Sequence, residues 1–281
     1  MFNLSAPVLY PYIFFAACMI AGEWWARRPN VLPWRQRWLR NLALHATVLG
    51  AGRLLATGTV FAVATEVHAT DTGLLPFLNT PPALAFVITF VAFDIFTFLL
   101  HRLLHRVPWF WRFHAIHHSD TEFDSTTHYR HHPLEYVITI AFYSGFVWAL
   151  GSDPFALVCA STAHQFNSLF NHSNIALQPE LDRVLRRLFV TPDMHRIHHS
   201  SRREETDSNY GNLFSCWDRL FGCYVDEPQG GQSGFDLGLI DYREHKRLTL
   251  WGLLKGPFVQ VSQINLTAVN TDDKTLPGDL Y

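Results

Sequence analysis

The segment from Ala83 to Leu100 (ALAFVITFVAFDIFTFLL) constrains the fold of this chain more than any other stretch. Asp94 is the only charged residue in it. An apolar run of this length is typical of a helix that crosses a membrane. The whole chain is 48% hydrophobic and only 16% charged, whereas an average soluble domain carries roughly 25% charged residues. We therefore predict an integral membrane protein.

Other apolar segments extend this pattern to an all-α membrane bundle of about four or five spans or hairpins. They cover residues 6–22, 42–66, 134–150 and 154–171. The last two form a predicted helical hairpin that turns at residues 151–154. The first run lacks the basic region that precedes a secretory signal, so we expect it to remain in the mature protein. A soluble all-α protein with unusually apolar core helices is the alternative.

The distribution of positive charge predicts how the bundle is oriented. Residues 27–40 hold five arginines beside tryptophans, which is typical of a cytoplasmic interfacial anchor, whereas residues 67–82 contain no Lys or Arg. Counting spans from there places residues 101–133 and 172–281 on the cytoplasmic side. The expected location is a multi-pass membrane protein of the inner membrane in a bacterium or of the endoplasmic reticulum in a eukaryote.

Histidines are concentrated in one part of the chain. Of sixteen, thirteen lie between His101 and His199. Eight of them form three boxes of helical spacing, H-x3-H and twice H-x-x-H-H, whose members converge on one helix face. The boxes are His101 and His105; His114, His117 and His118; and His195, His198 and His199. Imidazole suits iron, copper, zinc and nickel. Eight ligands exceed what one ion holds, so we predict a two-metal centre in which each H-x-x-H-H box supplies one side.

Several residues outside the boxes are further candidates. His172 lies at the predicted membrane edge and could complete a ligand set, and His164 and His132 are less regular candidates for the metals or their surroundings. Asp94 falls within about 20° of the helix face of His101 and His105. We interpret it as the carboxylate that accepts the second N–H of a ligating imidazole. Of His128, His131 and His132, which precede Pro133, one member is expected to reach the metals.

Other function classes receive little support. A net charge of −2 does not favour a nucleic-acid partner, and the four cysteines form no C-x-x-C pair. The sequence has no G-x-S-x-G elbow, P-loop or H-E-x-x-H. Two alternatives stay open: a histidine-rich membrane metal-binding or metal-transport protein, and a zinc-dependent membrane hydrolase. Interfacial histidines without a shared purpose are the third interpretation.

The ordered boxes resemble those of the fatty acid hydroxylase / sterol desaturase superfamily of integral-membrane di-iron enzymes. Shorter segments are similar too, namely RHHPLE (130–135), FNHSNI (170–175), TPDMHRIHHS (191–200) and DSNYGNLFSCWDRLFGCY (207–224). The resemblance implies a membrane bundle with a cytoplasmic histidine-rich cap, two iron ions for which zinc can substitute, and O2-dependent hydroxylation or desaturation of a lipid. The predicted divisions are residues 1–82 (membrane helices and loop), 83–224 (catalytic domain) and 225–281 (cytoplasmic tail).

The predicted reaction needs electrons from another protein. The sequence has no flavin fingerprint and no fused haem or iron–sulfur domain, so a separate ferredoxin- or cytochrome-like donor is implied. Positive residues on the cytoplasmic side could receive it or could face the membrane surface; they are Arg183, Arg186, Arg187, Arg202 and Arg203. Aromatic residues could wall the lipid site or simply pack; they are Phe93, Phe96, Phe98 and Trp111.

Overall fold

The computed structural model describes residues 6–54, 59–243 and 246–259, and the regular secondary structure in this part of the chain is all helical. No strand forms within it; extended residues meet only in isolated bridges such as Ala26–Ile175. The α helices are α1 (Ala6–Trp24), α2 (Trp34–Leu54), α3 (Thr59–Ala69), α4 (Leu74–Phe77), α5 (Pro82–Arg106), α6 (Pro108–His118), α7 (Pro133–Leu150), α8 (Pro154–Asn171), α9 (Pro179–Leu185), α10 (Pro192–His198), α11 (Arg203–Thr206), α12 (Cys216–Leu220) and α13 (Leu250–Lys255). Short 3₁₀ turns cover Thr127–Tyr129, Ile240–Tyr242 and Gly256–Phe258. The predicted all-α class is confirmed.

Two of these helices, α5 and α7, are long and apolar enough to cross a membrane by length and composition. The predicted hairpin appears as α7 and α8, and it turns at Gly151, whose φ of 70° is left-handed and favours glycine. The predicted segment 42–66 is divided between α2 and α3, and its residues 55–58 lie outside the described residues, as do residues 244–245 and 260–281 of the predicted tail.

Proline sets where six consecutive helices begin. Helices α5 to α10 each carry proline at their first position, where the missing N–H costs nothing and φ is already helical. Pro108 also ends α5, because the residue before a proline is disfavoured in the helical region and Val107 is extended. The break lets α6 turn back so that its histidines face those at the end of α5.

The long apolar helices form a bundle around α5. Helix α5 packs on α8, α6 and α7, while α3 packs on α7 and α1 on α8. A buried cluster joins four of these helices; its members are Ala64, Phe93, Val147, Leu157 and Ala160. A second cluster ties the described part of the C-terminal region to α2 and α6; its members are Leu44, Ile116, Tyr242, Leu248 and Leu253. Tyr242, Leu248 and Leu253 thus pack the described part of this region against α2 and α6.

The arginine-rich segment lies at the histidine end of the bundle, and one of its arginines, Arg37, is buried in the protein interior. The Arg37 side chain is 1% exposed and forms ion pairs with Asp120, Glu122 and Asp124. Arg27 lies 3.1 Å from Asp193, beside the second H-x-x-H-H box. The interpretation of Arg37 as an interfacial anchor is therefore wrong, because carboxylates of the 120–124 segment bind it instead.

The loop before α5 lies at the opposite end of the bundle. Gly73 packs directly on the backbone of Gly151, where a Cβ would come within 2.4 Å of the Gly151 nitrogen. The turn between α7 and α8 and the loop lacking Lys and Arg therefore share one end, and the histidines occupy the other.

Candidate metal centre

Five histidines from three helices meet in a first cluster. Helix α5 provides His101 and His105, α6 provides His114 and His118, and α10 provides His198; their ligand atoms all lie within 4.8 Å of one another. The Nε2 atoms are closer still, 3.1 Å between His101 and His114 and 3.0 Å between His198 and His101. We call this the five-histidine cluster.

Four more histidines form a second cluster beside it. These are His117, His172, His195 and His199, again with ligand atoms within 4.8 Å of one another. Nε2 of His172 lies 3.2 Å from Nε2 of His117 and 3.1 Å from Nε2 of His195. This is the four-histidine cluster. The nine histidines singled out in the sequence are thus brought together, and the structure divides them into two groups.

Each H-x-x-H-H box serves both clusters, so the interpretation in which one box supplies one side is wrong. The first box sends its i and i+4 members, His114 and His118, to the five-histidine cluster and His117 to the other. The second box does the reverse, with His198 in the five-histidine cluster and the i, i+4 pair in the four-histidine cluster. The reason is helical geometry, since i and i+4 lie about 40° apart whereas i+3 points to the other side of i.

The Nδ1 atoms of five of these rings point away from the centres to protein oxygens. His101 reaches the carbonyl of Tyr210 (2.8 Å), His105 the carboxylate of Asp207 (3.3 Å), His114 that of Glu135 (2.7 Å), His198 the carbonyl of Ser208 (2.7 Å) and His172 the carbonyl of Ser168 (2.8 Å). A carbonyl oxygen only accepts, so Nδ1 carries the proton in the rings that face one. The Nε2 lone pair is then left toward the cluster, the arrangement that metal-binding histidines adopt.

The donor set fits metal ions. Two nitrogens bound at about 2.1 Å to one ion and at right angles would lie about 3.0 Å apart, which is close to the observed Nε2 separations. Neutral rings whose lone pairs face each other at this distance repel unless a cation lies between them. Among the described residues the Nδ1 atoms of His117, His118 and His195 and both nitrogens of His199 are buried without a hydrogen-bond partner. Imidazole nitrogen suits iron, copper or zinc.

Burial keeps these rings in the form that binds metals. Desolvation and the neighbouring histidines lower the pKa values of His117, His118, His195, His198 and His199 well below the ordinary range. The pKa of His172 falls to about 3, chiefly through burial. Near neutral pH these six rings are therefore uncharged, and protons compete weakly with a cation for their nitrogens.

Glu135 and His131 border both clusters. Glu135 Oε1 accepts from Nδ1 of His114 at 2.7 Å and lies 3.1 Å from Nδ1 of His131. The His131 ring stacks on His117, with centroids 4.6 Å apart and planes at 6°. Of the three histidines before Pro133, His131 is thus the one that reaches the centre, whereas Nδ1 of His128 is hydrogen-bonded to Ser168 Oγ at 2.7 Å.

Three other sequence candidates lie outside both clusters. His132 caps α7, since its Nδ1 accepts from Leu134 N (3.1 Å), and its Nε2 lies 3.2 Å from the Leu254 carbonyl. Asp94 Oδ1 lies 2.8 Å from Nε2 of His164. Asp94 is therefore not the acceptor for His101 or His105. It does share their helix face, but seven residues of helix rise about 10 Å, which is beyond hydrogen-bond reach.

A cavity of about 770 Å³ opens onto the histidine clusters. Its walls come from α1, α2, α5, α7 and α8 and are mostly apolar, and its inner end is formed by His101, His114, His117, His172 and His195. Its lining includes Leu42, Val48, Leu100 and Leu104, which the sequence did not single out. They are ordinary apolar residues on four-turn or longer helices, and no local signal separates a cavity wall from the core.

The aromatic residues that could wall the lipid site pack outside the cavity. Phe93 stacks on Tyr143 at 5.3 Å, and Phe98 stacks on Phe221 at 5.2 Å. Trp111 packs against the ring of His105, with centroids 4.8 Å apart. None of these lines the cavity, nor does Phe96.

The arginines that could receive an electron-donor protein differ in solvent exposure and in ion pairing. Arg186 is buried and paired with Asp182 and with Asp226. Arg203 is paired with Asp207 at 3.1 Å. Arg183 and Arg187 are exposed. Arg186 therefore contributes to internal structure and cannot serve as a free charge at a docking face.

Comparisons with known proteins agree with the geometry. Residues 86–223 match the model of the fatty acid hydroxylase family. The chain is 30% identical over 160 residues to ornithine lipid hydroxylase OlsE of Rhizobium tropici, covering 57% of this chain and 46% of that protein. It is 30% identical over 147 residues to alkylglycerol monooxygenase of Xenopus tropicalis (50% and 31%), and 29% over 145 residues to the human one (50% and 30%). The chain thus spans less than half of the length of these relatives. No solved structure matches it significantly.

Proposed function

We propose that this chain, whose residues 86–223 match the fatty acid hydroxylase family, is an O2-dependent di-iron lipid hydroxylase. It would insert oxygen into an unactivated C–H bond of a membrane lipid. The observation that carries the proposal is the pair of histidine clusters at the inner end of an apolar cavity. The named relatives are hydroxylases or monooxygenases of lipids, which favours hydroxylation over desaturation.

The two clusters would each hold one ion. The five-histidine cluster would bind through His101, His105, His114, His118 and His198, and the four-histidine cluster through His117, His172, His195 and His199. Bound iron would supply the reduction of O2 and the oxidation of the C–H bond. The protein holds the ligands in place: hydrogen bonds at Nδ1 fix the rotation and tautomer of five rings.

The apolar walls of the cavity would bind and orient the lipid. A volume of about 770 Å³ lies within the range of roughly 300–1,000 Å³ found for small-molecule sites. Leu100 and Leu104 line the cavity beside His101 on α5, so a hydrocarbon chain lying along them would reach the histidines. Apolar contact excludes water from the reacting carbon, which protects a strong oxidant from side reactions.

The proposed placement in the membrane is multi-pass, with the metal centre on the cytoplasmic face. Ion pairs between the arginine-rich segment and the region around the clusters support a common compartment for both. A separate ferredoxin- or cytochrome-like donor would then reach the centre from the cytosol. The cavity would recognise an apolar chain, which sterol, fatty acyl and related membrane lipids all present.

A metal-transport function is the other candidate from a different class. It would require histidines along a path between the two ends of the bundle. Within the described residues the clustered histidines are confined to one end, and the other end is formed by the packed backbones of Gly73 and Gly151. The hydroxylase proposal accounts for this arrangement better.

Lipid mass spectrometry tests the proposal. Cells with and without the gene would be grown under ¹⁸O2, and their lipids compared for a species heavier by one labelled oxygen atom. A His105→Ala variant serves as the matched inactive control. Label from water in the product, or no gene-dependent lipid together with metal export from the cells, would contradict the hydroxylase assignment.

A further inference from the structure

The segment from Asp207 to Asp218 supports the five-histidine cluster from outside. Three of its first four residues supply oxygens to Nδ1 atoms of that cluster: Asp207 to His105, Ser208 to His198 and Tyr210 to His101. These histidines come from two different helices, α5 and α10. One continuous stretch of chain therefore orients three of the five rings.

The four-histidine cluster receives no such support from this segment. His172 is bonded through Nδ1 to the Ser168 carbonyl, one turn earlier on its own α8 helix. The Nδ1 atoms of His117, His195 and His199 have no partner among the described residues. The two clusters therefore differ in what holds their rings.

A buried carboxylate holds the Tyr210–Gly211 turn of this segment. Asp218 is fully buried, and its two oxygens accept from the backbone N–H groups of Tyr210 (2.7 Å) and Gly211 (2.9 Å). A Cβ at Gly211 would lie 2.8 Å from Asp218 Oδ2, so the close approach needs glycine. These bonds hold the turn whose Tyr210 carbonyl faces His101.

Asn209 fixes the same turn from the other side. Its φ of 50° is left-handed, which asparagine tolerates better than most residues. Its side chain donates to the Met194 and Val225 carbonyls and accepts from the Val225 N–H. The turn is thus clamped between α10 and residue 225, and it cannot relax without breaking buried hydrogen bonds.

We propose that Asp218 is a positioning residue for the five-histidine cluster alone, and this rests on the two-metal function proposed above. An Asp218→Asn side chain keeps the size but offers an NH2 group to one of the two N–H donors. That contact is repulsive, so the Tyr210–Gly211 turn shifts and withdraws the Tyr210 carbonyl from His101. The four-histidine cluster keeps its geometry, because among the described residues none of its rings has a hydrogen bond to the segment.

Metal titration of the full chain in detergent tests this, with Co(II) and Zn(II) as probes. Wild type is expected to take up two ions. Asp218→Asn should weaken one site by about 10–100-fold, the usual loss when a ligand's hydrogen-bond partner is disturbed, and leave the other within about twofold. Asp236→Asn, on a carboxylate that is 73% exposed, is the matched control and should retain both affinities.

Double variants identify the weakened site. Asp218→Asn combined with His105→Ala should still bind one ion, because both changes affect the same cluster. Asp218→Asn combined with His195→Ala should bind none tightly. If both sites weakened equally, or neither did, while wild type bound two ions, the role of Asp218 would be refuted and the two-metal function would stand.

Failure of the two-metal function gives a different result, since wild type would then bind fewer than two ions.

If Asp218→Asn loses its helical circular dichroism, Asp207→Ala replaces it as the test variant. The Asp207 side chain is 35% exposed and touches only His105 among the clustered rings, so the fold should tolerate its loss. Selective weakening of one site must follow there too, and unchanged affinities would overturn the inference.

Discussion

The Asp94 carboxylate lies 2.8 Å from Nε2 of His164, and its other oxygen accepts from the indole N–H of Trp217 at 2.6 Å. Asn212 contacts Nδ1 of the same His164 at 2.9 Å. A carboxylate in an apolar helix is costly and needs partners. Here the partners come from α8 and from the 207–218 segment, so Asp94 fastens that segment to α5.

We expect Asp94→Asn to lower stability by about 1–3 kcal/mol, because an amide has one accepting oxygen where the carboxylate has two, one facing His164 and the other the N–H groups of Trp217 and Phe214. Thermal unfolding in detergent measures this. Asp153→Asn is the control, since asparagine caps helix α8 as well as aspartate does. Retention of wild-type stability in Asp94→Asn would show that the carboxylate does not hold the segment.

We expect the two clusters to lose metal independently. His105→Ala should remove one ion and His195→Ala the other, each with loss of lipid hydroxylation, and the double variant should bind none. Metal analysis of the purified protein gives the stoichiometry. His68→Ala, at an exposed position, is the control. Full activity in His105→Ala or in His195→Ala would contradict the two-cluster assignment.

His132→Ala should leave both metal ions bound. This ring caps α7 and contacts the Leu254 carbonyl, so its loss should cost about 0.5–2 kcal/mol of stability. Unfolding and metal content measured on the same sample separate the two effects. A lost ion without lost stability would make His132 a ligand after all.

Narrowing the cavity should affect substrate more than metal. Val48→Phe places a larger side chain in the apolar wall, so turnover of long-chain lipids should fall while both ions remain. Val91→Phe makes the same change at a position that is 40% exposed on α5 and away from the cavity. Equal turnover in the two variants would argue against this cavity as the lipid site.

Acid should destabilise the metal-free protein. Burial holds the pKa values of His117, His118, His195, His198 and His199 well below the value of about 6.5 that they regain on unfolding. Between that value and the lower folded ones the unfolded chain binds more protons, so stability falls as pH falls. Each proton contributes up to about 1.4 kcal/mol per pH unit. Thermal midpoints at about pH 7.5 and 5.5 should show a large drop, and a flat profile would mean that the clusters are solvated.

Labelling of single introduced cysteines tests the orientation of the protein in the membrane. The four native cysteines, Cys18, Cys159, Cys216 and Cys223, are first replaced. Thr70 and Ser233 are exposed at opposite ends of the bundle. An impermeant thiol reagent added to intact cells should label Thr70→Cys and spare Ser233→Cys. The reverse pattern would place the histidine clusters outside the cytosol and remove access to a cytosolic electron donor.

The sequence by itself determined the helical class, the apolar helices α5 and α7 and the nine histidines that the fold gathers. These follow from local rules, because helical periodicity and residue type need no knowledge of distant contacts. The tertiary structure decided how each H-x-x-H-H box divides between two clusters, that His131 reaches the centre, that Asp94 binds His164 and Trp217, and which leucines line the cavity. Those features depend on which helix faces meet across the bundle, and residues more than a hundred positions apart, such as Asp94 and Trp217, leave no local pattern that pairs them.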